Sequence, residues 1–200
     1  MQFYEITQPL AGPILKAHEW IQEANTKEVA LPHAMNVSSV NANGRPSSRM
    51  VLLKRVSQEG FVFFTDYEGN KGKQIIEFPH VALTFWWAKT NKQIRIEGQC
   101  SKVSDKENDE YFLSRPRGSQ ISASVSLQST ELESYDSLVE RSEKFESDHI
   151  DKSIERPSRW GGFIVEPNSI EFWIDQKNRL HTRELFTKEG IDWKKVLLSP

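Results

Sequence analysis

The sequence predicts an antiparallel β-barrel with peripheral helices, a mainly β protein of the α+β class. Short runs in which apolar and polar residues alternate recur from residue 34 onward, and turn-forming residues separate most of them. The regular succession of strands and long helices that builds a parallel sheet is missing, as are GxGxxG and GxxxxGK[ST] loops. With 200 residues, the chain is expected to form one domain over residues 1–200.

Composition argues against several classes of function. The formal net charge is −2, so neither a nucleic acid nor a membrane surface is an expected partner. No apolar run approaches the ~18 residues of a membrane-spanning helix, and the first residues do not resemble a signal peptide. Cys100 is the one cysteine, which excludes an internal disulfide and makes a structural metal site an unexpected feature. We therefore expect a cytoplasmic protein without a metal.

The first quarter of the chain predicts an arm, a helix and a hairpin. Residues 1–11 show little pattern and are expected to form a mobile N-terminal arm. An apolar stripe at helical spacing predicts a helix over residues 13–25. Asn43-Gly44 is a strong hairpin signal between strands expected at residues 35–40 and 48–55.

The middle of the chain predicts strands and short helices. A glycine-bearing loop enters a short helix within residues 68–78, and Pro79 ends it. Ser104 and Glu107 form a capping box that starts a helix running to about residue 114. Three further strands are expected at residues 61–65, 81–87 and 93–100.

The last third returns to strands after a polar region. Residues 117–130 give no clear prediction, residues 132–145 predict an exposed helix, and residues 147–159 predict a connector. The final strands are expected at residues 160–165, 169–173, 180–186 and 193–198.

Two groups of basic residues are candidates for anion binding. Arg49 and Lys54 have opposite parity along a strand and so face opposite sides of the sheet, where they would serve two different anions or merely cap the strand with exposed charges. Arg179, His181 and Arg183 share one face if their segment is extended. That face indicates a site for a phosphate or an electron-rich ring, and a solvated basic edge strand is the alternative.

Two weaker patterns are also compatible with phosphate binding. Thr65 and Lys71 lie six residues apart across the glycine-bearing loop, where a hydroxyl, backbone N–H groups and an ammonium would converge. Tyr111 and Arg115 share a helix face, and Ser119 follows the break at Arg115-Pro116. Alone, each pattern is weak.

Taken together and in order, these segments resemble the pyridoxine/pyridoxamine 5′-phosphate oxidase family. The similarity runs from about residue 30 to the C-terminus, and several ordered motifs are far more specific than one. The resemblance implies an FMN-binding split β-barrel that is homodimeric, with two FMN sites built across the dimer interface. The motifs are RMVLLK (Arg49–Lys54), FFT with Lys71, KQIRIEG (Lys92–Gly98), YFLSRPRGSQ (Tyr111–Gln120), VSLQS (Val125–Ser129), WGG (Trp160–Gly162), EFW (Glu171–Trp173) and RLH with Arg183.

The resemblance also implies roles for individual residues. Arg179 and His181 are the implied catalytic residues, flanking the pyridine ring against the flavin. Substrate contacts are implied for Lys54, Tyr111, Arg115, Ser119, Arg179 and His181. FMN contacts are implied for Arg49, Met50, Val51, Leu52, Leu53, Lys54, Phe64, Thr65, Asn70, Lys71, Gln93, Gln128, Ser129, Trp173 and Arg183.

The reaction that the resemblance implies is oxidation of pyridoxamine or pyridoxine 5′-phosphate to pyridoxal 5′-phosphate. Hydride passes from substrate C4′ to flavin N5, and O2 then reoxidises the flavin with release of H2O2. No Ser/His/Asp or Cys/His set is evident in the sequence, so a cofactor is expected to carry the chemistry.

The chain departs from the family pattern at several positions. Gly69-Asn70-Lys71 stands where Ser-Arg-Lys is usual, so one basic contact to the FMN phosphate is missing, and Phe64 replaces a usual tyrosine. Ser124 and Thr182 also differ from the usual tryptophan and aspartate. Two alternatives stay open: a related FMN-dependent oxidase of secondary metabolism that acts on phenazine precursors, and a non-catalytic flavin-binding protein.

Overall fold

The structure is a computed structural model that describes residues 4–27 and 30–200. Strands dominate it, and five α-helices decorate their edges. The elements are β1 (Glu5–Ile6), α1 (Gly12–Lys27), β2 (Ala34–Val40), β3 (Pro46–Leu52), β4 (Arg55–Ser57), β5 (Gly60–Asp66), α2 (Asn70–Glu77), β6 (His80–Trp87), β7 (Lys92–Lys102), α3 (Asp105–Ser114), α4 (Arg117–Val125), α5 (Tyr135–Asp148), β8 (Trp160–Ile174), β9 (Thr182–Glu189) and β10 (Asp192–Leu197).

The strands form one curled ten-stranded sheet. Its order is β1-β4-β5-β8-β7-β6-β2-β3, and β9 and β10 extend from β8 as a side branch. All pairings are antiparallel except that of β1 with β4. Because β3 also contacts β5, the sheet curls back on itself as a half-barrel. The predicted fold class is confirmed.

Alternating residues of the strands build the core. In β7, Ile94 and Ile96 are fully buried while Arg95 and Glu97 face solvent. Helix α1 covers one opening of the half-barrel, where its Trp20 ring packs edge-on against Phe172 at 5.0 Å. The core therefore lies inside the curl and under α1.

The strands predicted at residues 160–165 and 169–173 are one continuous strand, β8. From the sequence, Pro167 predicts that the strand is interrupted. In the structure it lies at a register shift opposite Glu97 and Gly98 of β7. A Cβ on Gly98 would lie 2.2 Å from the carbonyl oxygen of Glu166, so this close approach requires glycine. The bulge lets the strand continue past a proline that would otherwise end it.

Other boundaries differ from the prediction for local reasons. The strand expected over residues 48–55 ends at Leu52, and β4 begins separately at Arg55. Residues 117–125, which gave no prediction, form α4 after the break at Pro116. Helix α5 begins at Tyr135 because the Ser134 hydroxyl accepts from the N–H of Ser137 at 3.0 Å. Ser104 caps α3 as predicted, since its Oγ accepts from the N–H of Glu107 at 3.2 Å, whereas the Glu107 carboxylate accepts from Arg55 at 2.9 Å.

The predicted mobile arm, residues 1–11, is only partly within the described residues. Residues 1–3 lie outside them. From Tyr4 onward the arm is docked on the domain, because Glu5–Ile6 pair with β4 and the Tyr4 and Leu10 side chains are buried. Tyr4 hydroxyl also lies 2.9 Å from His18 Nδ1 of α1. Cross-strand pairing of two residues leaves no periodic signal, which is why the sequence did not predict it.

Candidate active site

A cavity of about 490 Å³ opens where β3 and β5 meet α3 and α4. Residues that are far apart in the sequence, from Met50 to Trp160, form its wall. Most of the predicted cofactor and substrate positions of the first 130 residues are among them. The lining residues are Met50, Val51, Leu52, Lys54, Phe64, Thr65, Lys71, Tyr111, Ser114, Arg115, Pro116, Ser119, Gln128 and Trp160.

Lys54 and Arg115 form a pair of cations on the cavity wall. Burial lowers the pKa of Lys54, and the charge of Arg115 lowers it further. Burial also lowers the pKa of the Arg115 guanidinium. Arg115 lies with Cζ 4.5 Å above the Trp160 ring, and its Nη1 is buried without a hydrogen-bond partner among the described residues. A buried guanidinium nitrogen of this kind is suited to an anionic ligand.

The turn between α3 and α4 places Arg115 and Ser119 on the cavity. Arg115 caps the end of α3, and Pro116 directly precedes α4. Gln120 Nε2 donates to the carbonyl oxygens of Phe112, Leu113 and Arg115 at 3.1–3.2 Å. This buried amide satisfies the last carbonyls of α3 and fixes the angle between the two helices.

Lys71 and Arg49 form a second pair of cations. Lys71 Nζ donates to Thr65 Oγ1 at 2.6 Å and to Gln128 Oε1. Burial lowers the pKa of Lys71 to about 8, with a further contribution from the charge of Arg49 and an opposing one from Asp66. Arg49 does not line the cavity, and its guanidinium donates instead to serine hydroxyls of β2 and β3.

These four cations share a lack of acidic partners. None of Arg49, Lys54, Lys71 and Arg115 takes part in an ion pair among residues 4–27 and 30–200. By contrast, Arg55, Arg156 and Arg159 are each paired with carboxylates. Uncompensated, partly buried cations are costly unless an anion binds beside them.

An aromatic wall faces the cations. The Phe64 ring stacks on Tyr111 with centroids 4.0 Å apart and on Trp160 at 5.3 Å, with interplanar angles of 20° and 12°. A Cβ on Gly162 would lie 2.8 Å from the Phe64 ring, so the glycine lets that ring lie flat against β8. The cavity thus offers both cationic and flat apolar surface.

A loop after α4 closes the Lys71 end of the cavity. Ser129 Oγ accepts from the N–H of Asn70 at 3.3 Å, so Gln128 and Ser129 lie beside the start of α2. Arg159 holds the preceding segment, because it pairs with Asp66 at 3.1 Å and donates to the carbonyl of Ala123 at 2.8 Å. The sequence prediction missed this clamp, since charge pairing over 93 residues leaves no local signal.

A second group of predicted residues forms a patch at the far end of β8, which we call the C-terminal patch. The Trp173 ring lies 4.5 Å from the His181 ring, and Gln93 is the direct cross-strand partner of Trp173. Arg183 Nε donates to Glu171 Oε1 at 2.7 Å. Arg179 is exposed beside them. None of these residues lines the cavity.

The expectation that Arg179, His181 and Arg183 share one face of an extended strand is wrong. Asn178 and Arg179 adopt positive φ values of 57° and 61°, and β9 begins only at Thr182. This left-handed pair turns the chain from β8 into β9. His181 Nδ1 instead lies 3.0 Å from Asp175 Oδ1. The alternation argument for Arg49 and Lys54 also does not apply, because Lys54 lies beyond the end of β3.

The cavity and the C-terminal patch are separate parts of the chain, and strand β8 runs from one to the other. Trp160 lines the cavity, whereas Trp173 lies at the other end of the same strand. At ~3.3 Å per residue, the thirteen intervening steps correspond to roughly 40 Å along the strand. Across the sheet the separation is shorter, because Met50 of the cavity is joined to Glu171 through its cross-strand partners by four strand spacings, or roughly 20 Å.

Residues 4–27 and 30–200 contain neither a membrane-spanning helix nor a cluster of metal ligands. None of their helices combines the length and the apolar character needed to cross a membrane. No three His, Cys, Asp or Glu side chains of this part of the chain are grouped as ligands of a metal ion would be.

The curled antiparallel sheet and its cationic, aromatic cavity define a protein of the flavin-binding half-barrel class. Residues 21–147 match the family model described as pyridoxamine 5′-phosphate oxidase. Residues 160–200 match the model of the pyridoxine 5′-phosphate oxidase C-terminal dimerisation region, which covers β8 to β10. The chain belongs to the pyridoxamine 5′-phosphate oxidase family, whose members are FMN-dependent oxidoreductases.

Individual relatives agree with this assignment. A pyridoxine/pyridoxamine 5′-phosphate oxidase of Acaryochloris marina is 43% identical over 97% of this chain and 89% of its own length. One of Colwellia psychrerythraea is 47% identical over 91% of this chain and 84% of its own length.

Solved structures share the fold. PhzG from Burkholderia lata, in complex with tetrahydrophenazine-1-carboxylic acid, superposes with a TM-score of 0.90 at 29% identity over 96% of this chain and 95% of its own. A pyridoxamine 5′-phosphate oxidase-related, FMN-binding protein of Nostoc punctiforme has a TM-score of 0.77 at 14% identity, covering 95% of this chain and 98% of its own, and shows the fold alone.

Proposed function

We propose that the protein is an FMN-dependent oxidase that converts pyridoxamine or pyridoxine 5′-phosphate to pyridoxal 5′-phosphate. The observation that carries this proposal is a single cavity served by two cation pairs, Lys54 with Arg115 and Lys71 with Arg49, without acidic partners among the described residues. Two cation pairs whose charges are not balanced by carboxylates are suited to bind two phosphates, one on the cofactor and one on the substrate. The names of relatives at 43–47% identity support the same substrates.

The Lys71 end is assigned to the FMN phosphate. Lys71, Thr65, Gln128 and Ser129 supply an ammonium, two hydroxyls and an amide around the start of α2. Gly69 precedes this helix and has no side chain to cap it, so N–H groups of the first turn that follow Asn70 are available to a phosphate. Lys71 supplies the basic contact at the start of α2, because the neighbouring Asn70 carries no charge.

The Arg115 end is assigned to the substrate phosphate. Arg115, Lys54, Tyr111 and Ser119 line this part of the cavity and offer forked donors, an ammonium and two hydroxyls. The buried Nη1 of Arg115, which lacks a partner among the described residues, is the group that a phosphate oxygen would satisfy. Phe64, which stacks on Tyr111, adds aromatic surface to the same cavity wall.

We assign the C-terminal patch to the active site of the partner subunit in a homodimer. The patch belongs to the region that matches the family's dimerisation model, and none of its residues lines the cavity of its own chain. A two-fold dimer brings the patch of each subunit to the cavity of the other, giving two FMN sites at the interface.

The chain's residues would orient the substrate for oxidation. Bound FMN would accept a hydride from substrate C4′ and be reoxidised by O2. Arg179 and His181 would hold the pyridine ring in place. Asp175 Oδ1 and the N–H of Gln176 both lie near His181 Nδ1, at 3.0 and 3.2 Å, so Nε2 is the ring nitrogen that would contact a ligand.

The decisive experiment is turnover in air by FMN-loaded protein. Pyridoxine and pyridoxamine 5′-phosphate are each supplied, and pyridoxal phosphate and peroxide are followed together. We expect equal amounts of aldehyde and peroxide. Protein that holds FMN but turns over neither compound would contradict the proposed substrates, and colourless protein that binds no added FMN would contradict the cofactor.

The similarity to PhzG favours one second candidate, an oxidase of phenazine precursors. Such a substrate carries a carboxylate and needs no site for a phosphate. Calorimetric binding of pyridoxal 5′-phosphate, with dephosphorylated pyridoxal as control, separates the two. Preference for the phosphorylated compound supports the first function. Equal binding, with turnover of tetrahydrophenazine-1-carboxylic acid, supports the second.

A further inference from the structure

Gln74 lies behind the Lys71 end of the cavity and contacts three side chains of β2 and β3. Its Oε1 is 2.6 Å from Ser39 Oγ, 2.8 Å from Ser47 Oγ and 3.3 Å from a guanidinium nitrogen of Arg49. Gln74 follows Lys71 by three residues, so both project from the same side of α2. Helix α2 therefore has two contacts. Lys71 lines the cavity, and Gln74 contacts Arg49 behind it.

The proton positions in this cluster are determined by the donors. Arg49 can only donate, so Ser39 Oγ and Ser47 Oγ accept from it at 2.7 and 2.6 Å. Each serine must then give its own proton to Gln74 Oε1, which therefore accepts all three hydrogen bonds. Ser39 is 1% exposed, so water does not compete at that position. Gln74 therefore orders the two serines that, with the Val37 carbonyl, hold the guanidinium.

The acceptor is neutral, and that property matters for anion binding. A glutamate would fill the same space and accept the same three hydrogen bonds. It would also compensate the charge of Arg49, which has no acidic partner among the described residues. An amide orients the guanidinium and leaves its positive potential directed at the Lys71 end of the cavity.

We propose that Gln74 is a positioning residue that makes the cofactor site selective for a phosphate-bearing flavin over riboflavin, by fixing Arg49 without neutralising it. The inference rests on the proposed function, because it takes the Lys71 end as the phosphate site of FMN. It adds a residue outside the cavity wall to that site.

The test compares FMN with riboflavin, which lacks the phosphate, by titration of flavin-free Q74E and wild-type protein. We expect the FMN dissociation constant of Q74E to rise about 10- to 100-fold, while that of riboflavin changes less than about threefold. The melting temperature of Q74E should stay equal or rise, because a new Arg49–Glu pair replaces a neutral contact. Loss of affinity with retained stability is a combination that a merely structural role would not produce.

Two further variants complete the experiment. K73Q makes the same charge change on the exposed side of α2 and should leave both affinities within about threefold. Q74M keeps the side-chain length but removes the acceptor, so it should also weaken FMN more than riboflavin. If Q74E does not yield soluble protein, Q74M still tests whether the orientation of Arg49 matters for FMN binding.

Three results would overturn the inference. The first is an unchanged preference of Q74E and Q74M for FMN, and the second is a parallel loss of both flavins. Wild-type protein without a preference for FMN is the third, and this result alone would also remove the cofactor assignment of the proposed function.

Discussion

Arg183 is held by Glu171, whose Oε1 accepts from Arg183 Nε at 2.7 Å while its other oxygen accepts from Arg95 at 3.0 Å. The Glu171 carboxylate is only 6% exposed, and its charge and hydrogen bond to Arg183 raise the pKa of that guanidinium. A cation of the C-terminal patch is therefore oriented by a buried carboxylate on the neighbouring strand. Truncating or neutralising that carboxylate should disorganise the patch from within.

Glu171→Gln should weaken FMN binding about tenfold and lower the free energy of unfolding by about 1–3 kcal/mol, because two arginines lose a buried charged acceptor. Flavin titration and urea unfolding measure the two effects. Glu97→Gln is the matched control, since Glu97 pairs with the same Arg95 at 3.4 Å but is exposed. Equal effects of the two variants would show that burial of Glu171 has no special role.

Arg115→Lys should raise KM for pyridoxine 5′-phosphate about 10- to 100-fold with a smaller change in kcat. A lysine keeps the charge but loses the forked donors and the contact with Trp160. Steady-state kinetics of the FMN-loaded enzyme measure the effect, and Arg117→Lys on the exposed face of α4 is the control. An unchanged KM would remove Arg115 from the substrate-phosphate site.

FMN affinity should fall as pH rises above about 8, because Lys71 then loses the proton that makes it a phosphate ligand. The pKa of Lys71 lies below its value of 10.5 in the unfolded chain, so the unfolded state binds more protons between these values. The stability of the flavin-free protein should therefore rise with pH across that window.

Titrations of FMN from about pH 7 to about pH 10 measure this dependence, because the flavin phosphate remains a dianion throughout. Lys71→Arg keeps its charge over the whole range, so its FMN affinity should not show the fall. The same pH profile in both proteins would assign the effect to another group.

Arg179→Ala combined with His181→Ala should lower kcat by about 100-fold or more, while FMN remains bound through its phosphate site. Single-turnover reduction of the bound flavin by substrate separates this step from product release. Retained turnover of pyridoxine 5′-phosphate would show that these residues do not act on the substrate.

Heterodimers test whether the sites are shared between subunits. One chain carries Arg115→Ala, the other carries Arg179→Ala and His181→Ala, and two affinity tags select the mixed dimer. A shared site leaves one of two sites intact, so about half of the wild-type activity should return. Sites built within one chain would each carry a defect, and the mixed dimer would then be as inactive as its parents.

Local signals in the sequence were sufficient for much of the fold. Alternating residues located β2, β6 and β7, a continuous apolar run located β5, and the Ser104 N-cap located α3 within one residue. Tyr111, Arg115 and Ser119 lie on one cavity because helix spacing and a proline break determine their relative positions. Such features depend on a few neighbouring residues, which a sequence displays directly.

Features that depend on tertiary contacts were missed. The left-handed pair Asn178–Arg179 contradicts an alternation argument that assumed an extended chain. Gln74 reaches Arg49 across 25 residues, and no spacing rule connects a helix with a distant strand. The three-residue interval from Lys71 to Gln74 was the one available hint that both residues face the same region.

Strand β8 has Trp160 at the cavity end and Trp173 at the patch end. In the proposed dimer, the two ends of this strand belong to two different active sites. Adding or removing one residue would also turn every later side chain to the opposite face of the sheet, so Glu171 and Trp173 would leave the patch together. Insertions and deletions in descendants of this chain should therefore accumulate in its loops and spare this strand, because its register keeps the residues at both ends on the correct faces of the sheet.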